Sequence, residues 1–156
     1  MIDRRTWITR TGGAALLVLA GRHETLSALP PKPVIEVYKD PSCGCCEKWV
    51  DHLRASRFTA YVHNDTAMEA RKDRVGVPAS MRSCHTALIG GYIVEGHVPA
   101  ADIQRMLREK PKAMGLAIPG MPMSAPGMGE PGARVQPYSV LAFERNGSSR
   151  IYAQYR

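Results

Sequence analysis

Three thiols fall within four residues at Cys43-Gly44-Cys45-Cys46, between a strand-like run, Val34 to Tyr38, and a run of helical spacing, Cys46, Trp49, Val50 and Leu53. A chain with that pattern delivers a cysteine cluster at a strand-to-helix junction, where the helix macrodipole and unpaired backbone N–H groups stabilise thiolates. Such a cluster suits soft-metal ligation or disulfide exchange. The remaining cysteine, Cys84, is followed directly by His85, a donor pair placed as a second wall of the same site would be.

The order of elements predicted around the cluster defines a fold. Phe58 to His63 alternates like a half-buried strand, and Thr66 with Glu69 reads as the capping box of a second helix that Gly76 and Pro78 stop. Thr86 to Ile89 and Tyr92 to Glu95 read as strands joined by a tight hairpin at Gly90-Gly91. Pro99 suits the first position of a helix that carries Ile103, Met106 and Leu107 on one face. Strand-helix-strand-helix-strand-strand-helix is the order of a thioredoxin-like domain, an α/β class with a mixed sheet flanked by helices, expected here over residues 33–112. Residues 113–132 are dense in Met, Pro and Gly, repeat a Pro-Gly-Met unit at 119–121 and 126–128, and offer little to bury, so they are expected to form a loop rather than an element. Residues 133–156 then supply a β-hairpin extension of the same domain, Tyr138 to Phe143 and Ile151 to Tyr155, turned near Asn146-Gly147.

A chain of 156 residues has room for a core of its own, which frees its four cysteines from merely holding the fold together. The formal charge is +7, and removing residues 1–28 takes away four arginines and two carboxylates to leave +5. Arg71-Lys72 with Arg74, and Arg105 and Arg108 with Lys110 and Lys112, lack the interleaved aromatics that stack on bases. They read as solvated faces, and nucleic acid is not expected as a partner. Residues 1–28 read as an export signal: Arg4-Arg5-Thr6-Trp7-Ile8 resembles a twin-arginine motif, and the apolar run Ala14 to Ala20 follows it, with cleavage expected after Ala20 or near Ser27 or Ala28. Seven helical residues rise only about 10 Å against a hydrocarbon core of about 30 Å, so no stable transmembrane anchor is expected. The expected compartment is the periplasm, where thiols tend to pair.

Several chemistries remain open for the thiols. Cys43 and Cys46 have Cys-x-x-Cys spacing, and in a thioredoxin-like fold Cys43 would be the exposed attacking thiol of a thiol-disulfide oxidoreductase. Cys45 competes for the mixed disulfide of such an enzyme, whereas it adds a ligand to a metal site. Thiolates select Cu(I), zinc or iron-sulfur clusters, and an oxidising compartment disfavours most of the last. A structural zinc site would satisfy four thiolates tetrahedrally but leaves the methionines without a role. A structural disulfide from Cys84 to the cluster would close a loop of about 40 residues and stabilise the fold by roughly 4 kcal/mol, yet it explains neither three clustered thiols nor the adjoining His85. Met121, Met123 and Met128 lie in the loop without helical periodicity; thioethers bind Cu(I) without deprotonation, and a Pro-Gly-Met turn can equally lay methionine over the site as an apolar lid. Met68, Met81 and Met106 read as core filler, and His23, His52, His63 and His97 as ordinary surface or core histidines.

Val37-Tyr38-Lys39 ahead of Cys43-Gly44-Cys45-Cys46, then Ser83-Cys84-His85-Thr86, then Gly115-Leu116-Ala117-Ile118-Pro119-Gly120-Met121-Pro122, resemble in content and order the motifs of the CopG-like family of exported thioredoxin-fold proteins associated with copper resistance. The resemblance covers residues 33–128. It implies binding of Cu(I) as a multinuclear thiolate-bridged cluster, with Cys43, Cys45, Cys46 and Cys84 as sulfur ligands and His85 as a nitrogen ligand or neighbour. Copper sequestration, transfer and redox conversion are all compatible with it. The partners it implies are copper ions and other periplasmic copper-handling proteins.

Overall fold

The computed structural model describes residues 31–129 and 135–156, so the expected export signal lies outside the described residues. In chain order the elements are β1 (Val34–Lys39), α1 (Gly44–Ala55), β2 (Thr59–Asn64), α2 (Met68–Val75), a 3-10 turn at Ala79–Met81, β3 (His85–Ile89), β4 (Tyr92–Glu95), α3 (Ala100–Glu109), β5 (Gly115–Ala117), β6 (Tyr138–Phe143) and β7 (Ser149–Tyr155). The strands form one sheet in the order β2-β1-β3-β4-β5-β6-β7. It is mixed: β1 with β2 and β4 with β5 run parallel, and the other neighbours run antiparallel.

Alternation along the strands sorts the apolar residues onto the two faces of this sheet. Ile35, Val37, Ala87, Ile89, Val94, Leu116, Val140 and Ala142 pack with Trp49, Val50 and Leu53 of α1 and with Ile103 and Met106 of α3. Ile93, Ala117 and Phe143, from the intervening positions, pack instead with Val77 after α2 and Met81 in the 3-10 turn. Residues β3 carries side by side therefore serve different layers. His85 meets Trp49 of α1 at a ring separation of 4.2 Å, while Thr86 Oγ1 accepts from Lys72 of α2 on the other side.

Several local expectations shift. Helix α2 begins at Met68 with no side-chain cap, so Thr66 and Glu69 form no capping box; Asp65 instead accepts from the Ala67 amide and the Arg71 guanidinium, and Glu69 pairs with Arg82. Pro99 stands one position ahead of α3, as its N-cap. The hairpin at Gly90-Gly91 closes with both glycines at positive φ, 55° and 83°, as a tight two-residue turn between right-twisted strands requires. The expected loop at 113–132 contains a strand after all. Three residues, Gly115–Ala117, hold strand geometry because β4 pairs with them on one side and β6 on the other, a tertiary cause that local propensity does not record.

The basic stretch at 71–74 is a solvated face only at Arg74, which is exposed. Lys72 is fully buried, bonded to Glu95 and, at 3.0 Å, to Thr86, and Arg71 lies over the Tyr38 ring at 4.1 Å. Glu95 also accepts the Ser83 amide at 2.8 Å; burial pushes its carboxyl above the usual range, and the Lys72 ammonium opposes that shift. The pair thus ties α2, β3, β4 and the segment leading into Cys84 together beneath the sheet. Removing one partner of a buried ion pair strands the other charge, at a cost of about 3–5 kcal/mol. Lys72→Met is expected to lower unfolding free energy by that amount in denaturant titrations of the metal-free chain, and Lys72→Met with Glu95→Gln to recover part of it; a silent Lys72→Met would contradict the bracing role.

Candidate metal centre

The loop between β1 and α1 sets where the first three thiols stand. Ser42 donates its amide to the Asp40 carboxylate at 2.8 Å, the Cys43 amide donates to the Asp40 carbonyl at 3.0 Å, and the Ser42 hydrogen bonds hold the Asp40 carboxyl below the usual range. Lys39, buried at the end of β1, reaches Glu47 in the first turn of α1 at 2.9 Å and so pins the helix start to the strand. Cys43 is the N-cap of α1 and its sulfur caps no amide. Cys45 and Cys46 follow in the first turn, beside its unpaired N–H groups and the positive end of the helix dipole.

Cys43 and Cys46 are joined by a disulfide across a Cα separation of 5.4 Å, and Cys45 and Cys84 are free thiols. The structural disulfide weighed for Cys84 is therefore not formed. Cys84 instead arrives from the start of β3, and all four cysteine sulfurs lie within 4.8 Å of one another. Cys43 and Cys45 are 3.6 Å apart. Cys43, Cys45 and Cys84 are partly exposed, whereas Cys46 is buried against the core, so the group opens to solvent on one side. Burial pushes the Cys84 thiol up to about 12, and the neighbouring Cys45 adds to the shift. Cys84 is consequently a neutral thiol at pH 7 until a cation displaces its proton.

His85 is fully buried with Nδ1 3.3 Å from Cys84 Sγ. His97, read from sequence as an ordinary histidine, lies at the same place: the ligand atoms of Cys46, Cys84, His85 and His97 form a second group within 4.8 Å. Burial keeps both imidazoles below their usual protonation range, and for His85 the nearby His97, Lys72 and Lys39 add to that effect. The signal that places His97 is the hairpin register. Ile89 pairs with Tyr92 and Thr86 with Glu95, and the Gly96 amide donates to the His85 carbonyl at 3.2 Å, so the same register carried outward sets His97 beside Cys84. His52 accepts the Ala100 amide at 3.0 Å, and His63 stays at the surface with Glu36.

The methionines divide. Met121 and Met123 are 42% and 50% exposed, which is no apolar lid, while Met128 is partly buried against the main core. Its turn matters more than its sulfur: the Pro126 carbonyl lies 2.6 Å from His97 Nδ1. Gly127, at φ 82°, allows the turn to touch α1 where an added Cβ would stand 2.7 Å from the Trp49 nitrogen.

The donors fit a soft or borderline metal cation. Reducing the disulfide by two electrons and two protons frees two thiols, making four sulfurs and two neutral imidazoles available to Cu(I) or zinc. Oxidised, the same cluster is a disulfide beside a free thiol, the arrangement thiol exchange uses.

Comparison with known proteins adds an independent line. A family model described as a protein of unknown function, DUF411, matches residues 81–128, which include Cys84, His85 and His97 but not the helix cysteines. No curated protein matches the chain. Two solved structures titled as copper resistance protein CopG do match. Form 2 is 48% identical over 80% of this chain and 98% of its own, with a TM-score of 0.74; Form 1 is 48% identical over 79% and 98%, with a TM-score of 0.73. Identity of that order across nearly the full length of those chains places this protein in the family of copper resistance protein CopG.

Proposed function

We propose that the protein is a periplasmic Cu(I)-binding protein of copper resistance, which holds the metal at Cys43, Cys45, Cys46 and Cys84 with His85 beside them. The observation that carries this reading is the convergence of four cysteine sulfurs within 4.8 Å at one end of α1. Four sulfurs so close favour shared, bridging thiolates and hence more than one Cu(I) per site, since thiolate is the ligand this soft ion prefers. The titles of the related structures, copper resistance protein CopG, support copper as the cargo. A thioredoxin-like scaffold accounts for the arrangement: the parallel β1-α1-β2 unit, the antiparallel β3-β4 hairpin and α3 surround a cysteine motif at the start of the first helix. Met121 and Met123, whose exposed sulfurs are free to reach a metal, serve as accessory thioether donors, with Met128 the least suited of the three because the core holds it. The twin-arginine-like Arg4-Arg5 motif is the address that takes the chain to the periplasm.

One observation favours a second reading. The Cys43–Cys46 disulfide is the resting form of a thiol-disulfide oxidoreductase. Cys45 separates the two. Cys45→Ser removes a thiolate ligand and is expected to weaken Cu(I) binding at least about a hundredfold, the upper range of what the loss of a mere supporting contact costs. Exchange through Cys43 and Cys46 survives the same change. Disulfide-reductase turnover together with unaltered copper affinity in Cys45→Ser would favour the oxidoreductase instead.

The state of Cys84 fixes the sign of the pH dependence. Its thiol is protonated through the neutral range in the metal-free chain, and binding expels that proton, so apparent Cu(I) affinity is expected to rise about tenfold per pH unit for each proton displaced between roughly pH 6 and 9. A flat profile in chelator competition across that range would show that no thiol proton is lost on binding.

A further inference from the structure

Behind the thiols, two buried nitrogens lack a partner. His85 Nε2 and His97 Nε2 are both enclosed and make no hydrogen bond among the described residues, which leave the two residues 0% and 1% exposed. Burying a polar atom without a partner is costly, so a native chain that retains two such atoms on neighbouring rings requires an explanation. The two rings are neighbours, with centroids 5.1 Å apart, over Trp49, whose own N–H is satisfied by the Val98 carbonyl at 2.9 Å.

The unpartnered atoms are presented rather than merely left over. A backbone carbonyl only accepts, so at 2.6 Å from Pro126 the His97 Nδ1 must carry the proton, and Nε2 keeps a free lone pair. An imidazole whose N–H is held by a carbonyl while its other nitrogen is bare has the tautomer and the fixed orientation that metal ligation uses. The Pro126-Gly127 turn that supplies this carbonyl is held against α1 by a contact only glycine permits. His85 is fixed from the other side, with Nδ1 facing Cys84 Sγ at 3.3 Å, a thiol that can donate or accept, and with Nε2 left over. A histidine serving only as core filler needs none of this.

We propose an inner Cu(I) subsite in which a ring nitrogen of His85 and Nε2 of His97 supply nitrogen, and Cys46 and Cys84, shared with the four-sulfur group, supply bridging thiolates. It rests on the Cu(I)-binding reading and deepens it: the site has two layers, an outer one of sulfur open to solvent and an inner one of mixed nitrogen and sulfur against Trp49. Cys46 joins it once the Cys43–Cys46 disulfide has been reduced by a thiol or phosphine reductant.

The test uses the full chain, reduced and kept anaerobic, titrated with Cu(I) against a Cu(I) chelator and then examined by copper X-ray absorption. In His97→Asn the side-chain amide nitrogen stands near the place of Nδ1, so the bond to Pro126 is kept while Nε2 is deleted; His97→Gln is a second variant of different shape. Both are expected to bind one Cu(I) fewer per chain than the parent and to lose nitrogen scattering, with thermal midpoint and far-UV circular dichroism of the metal-free chain unchanged. A folded variant with parental copper count and nitrogen scattering overturns the proposal. Should neither variant fold, the parent decides: a first shell containing nitrogen supports the subsite, and one of sulfur alone overturns it. A parent that binds no Cu(I) fails the broader reading of function, an outcome separate from a parent that binds it through sulfur only.

Discussion

The position of Cys84 depends on an ion pair on the opposite side of the sheet. Lys72 and Glu95 are both buried, and Glu95 takes the Ser83 amide as well as the Lys72 ammonium, so the residue before Cys84 is tied to α2 and β4 together. Strand alternation does the rest. With Thr86 committed to the ion pair, His85 must face α1, and the chain entering β3 brings Cys84 to the helix that carries the other three thiols. A buried pair is weak evidence for stability in itself, since apolar residues often substitute at no loss. Here its value lies in register: it fixes which residue of β3 meets the site.

Two electrostatic environments meet at the cluster. The start of α1 turns the unpaired N–H groups of its first turn and the positive end of its dipole toward Cys45 and Cys46. Cys84 experiences the reverse, because burial and the nearby Cys45 hold its proton. Four thiolates this close cannot coexist without a cation among them, and without one the chain has two outlets, protonation at Cys84 and a disulfide between Cys43 and Cys46. Metal loading at this site and thiol oxidation would therefore draw on the same sulfurs.

Much of the scaffold was legible because its signals are local. The cysteine cluster, the helical spacing of Trp49, Val50 and Leu53, the Gly90-Gly91 hairpin and the terminal hairpin around Gly147 each declare themselves within a few residues. What escaped depends on pairing across the fold. Lys72 is buried only because Glu95 waits beneath the sheet, and Gly115–Ala117 is a strand only because β4 and β6 flank it. His97 carries no motif, yet extending the hairpin register by two residues beyond Thr86 and Glu95 sets it beside Cys84. The methionines left two roles open, thioether donor or apolar lid; Met121 and Met123 are too exposed for a lid, and the second Pro-Gly-Met turn also contributes the Pro126 carbonyl to His97.

On the function proposed above, reduction of one disulfide converts this cluster into a tight Cu(I) site. The most direct measurement is anaerobic chelator competition on the same full chain in two states, fully reduced and with Cys43 and Cys46 oxidised, with free thiols counted before each titration. The account predicts that the reduced chain withdraws Cu(I) from the chelator and that the oxidised chain, deprived of two of its four sulfurs, binds far more weakly. Equal retention of Cu(I) by both states, or none by the reduced chain, would contradict it.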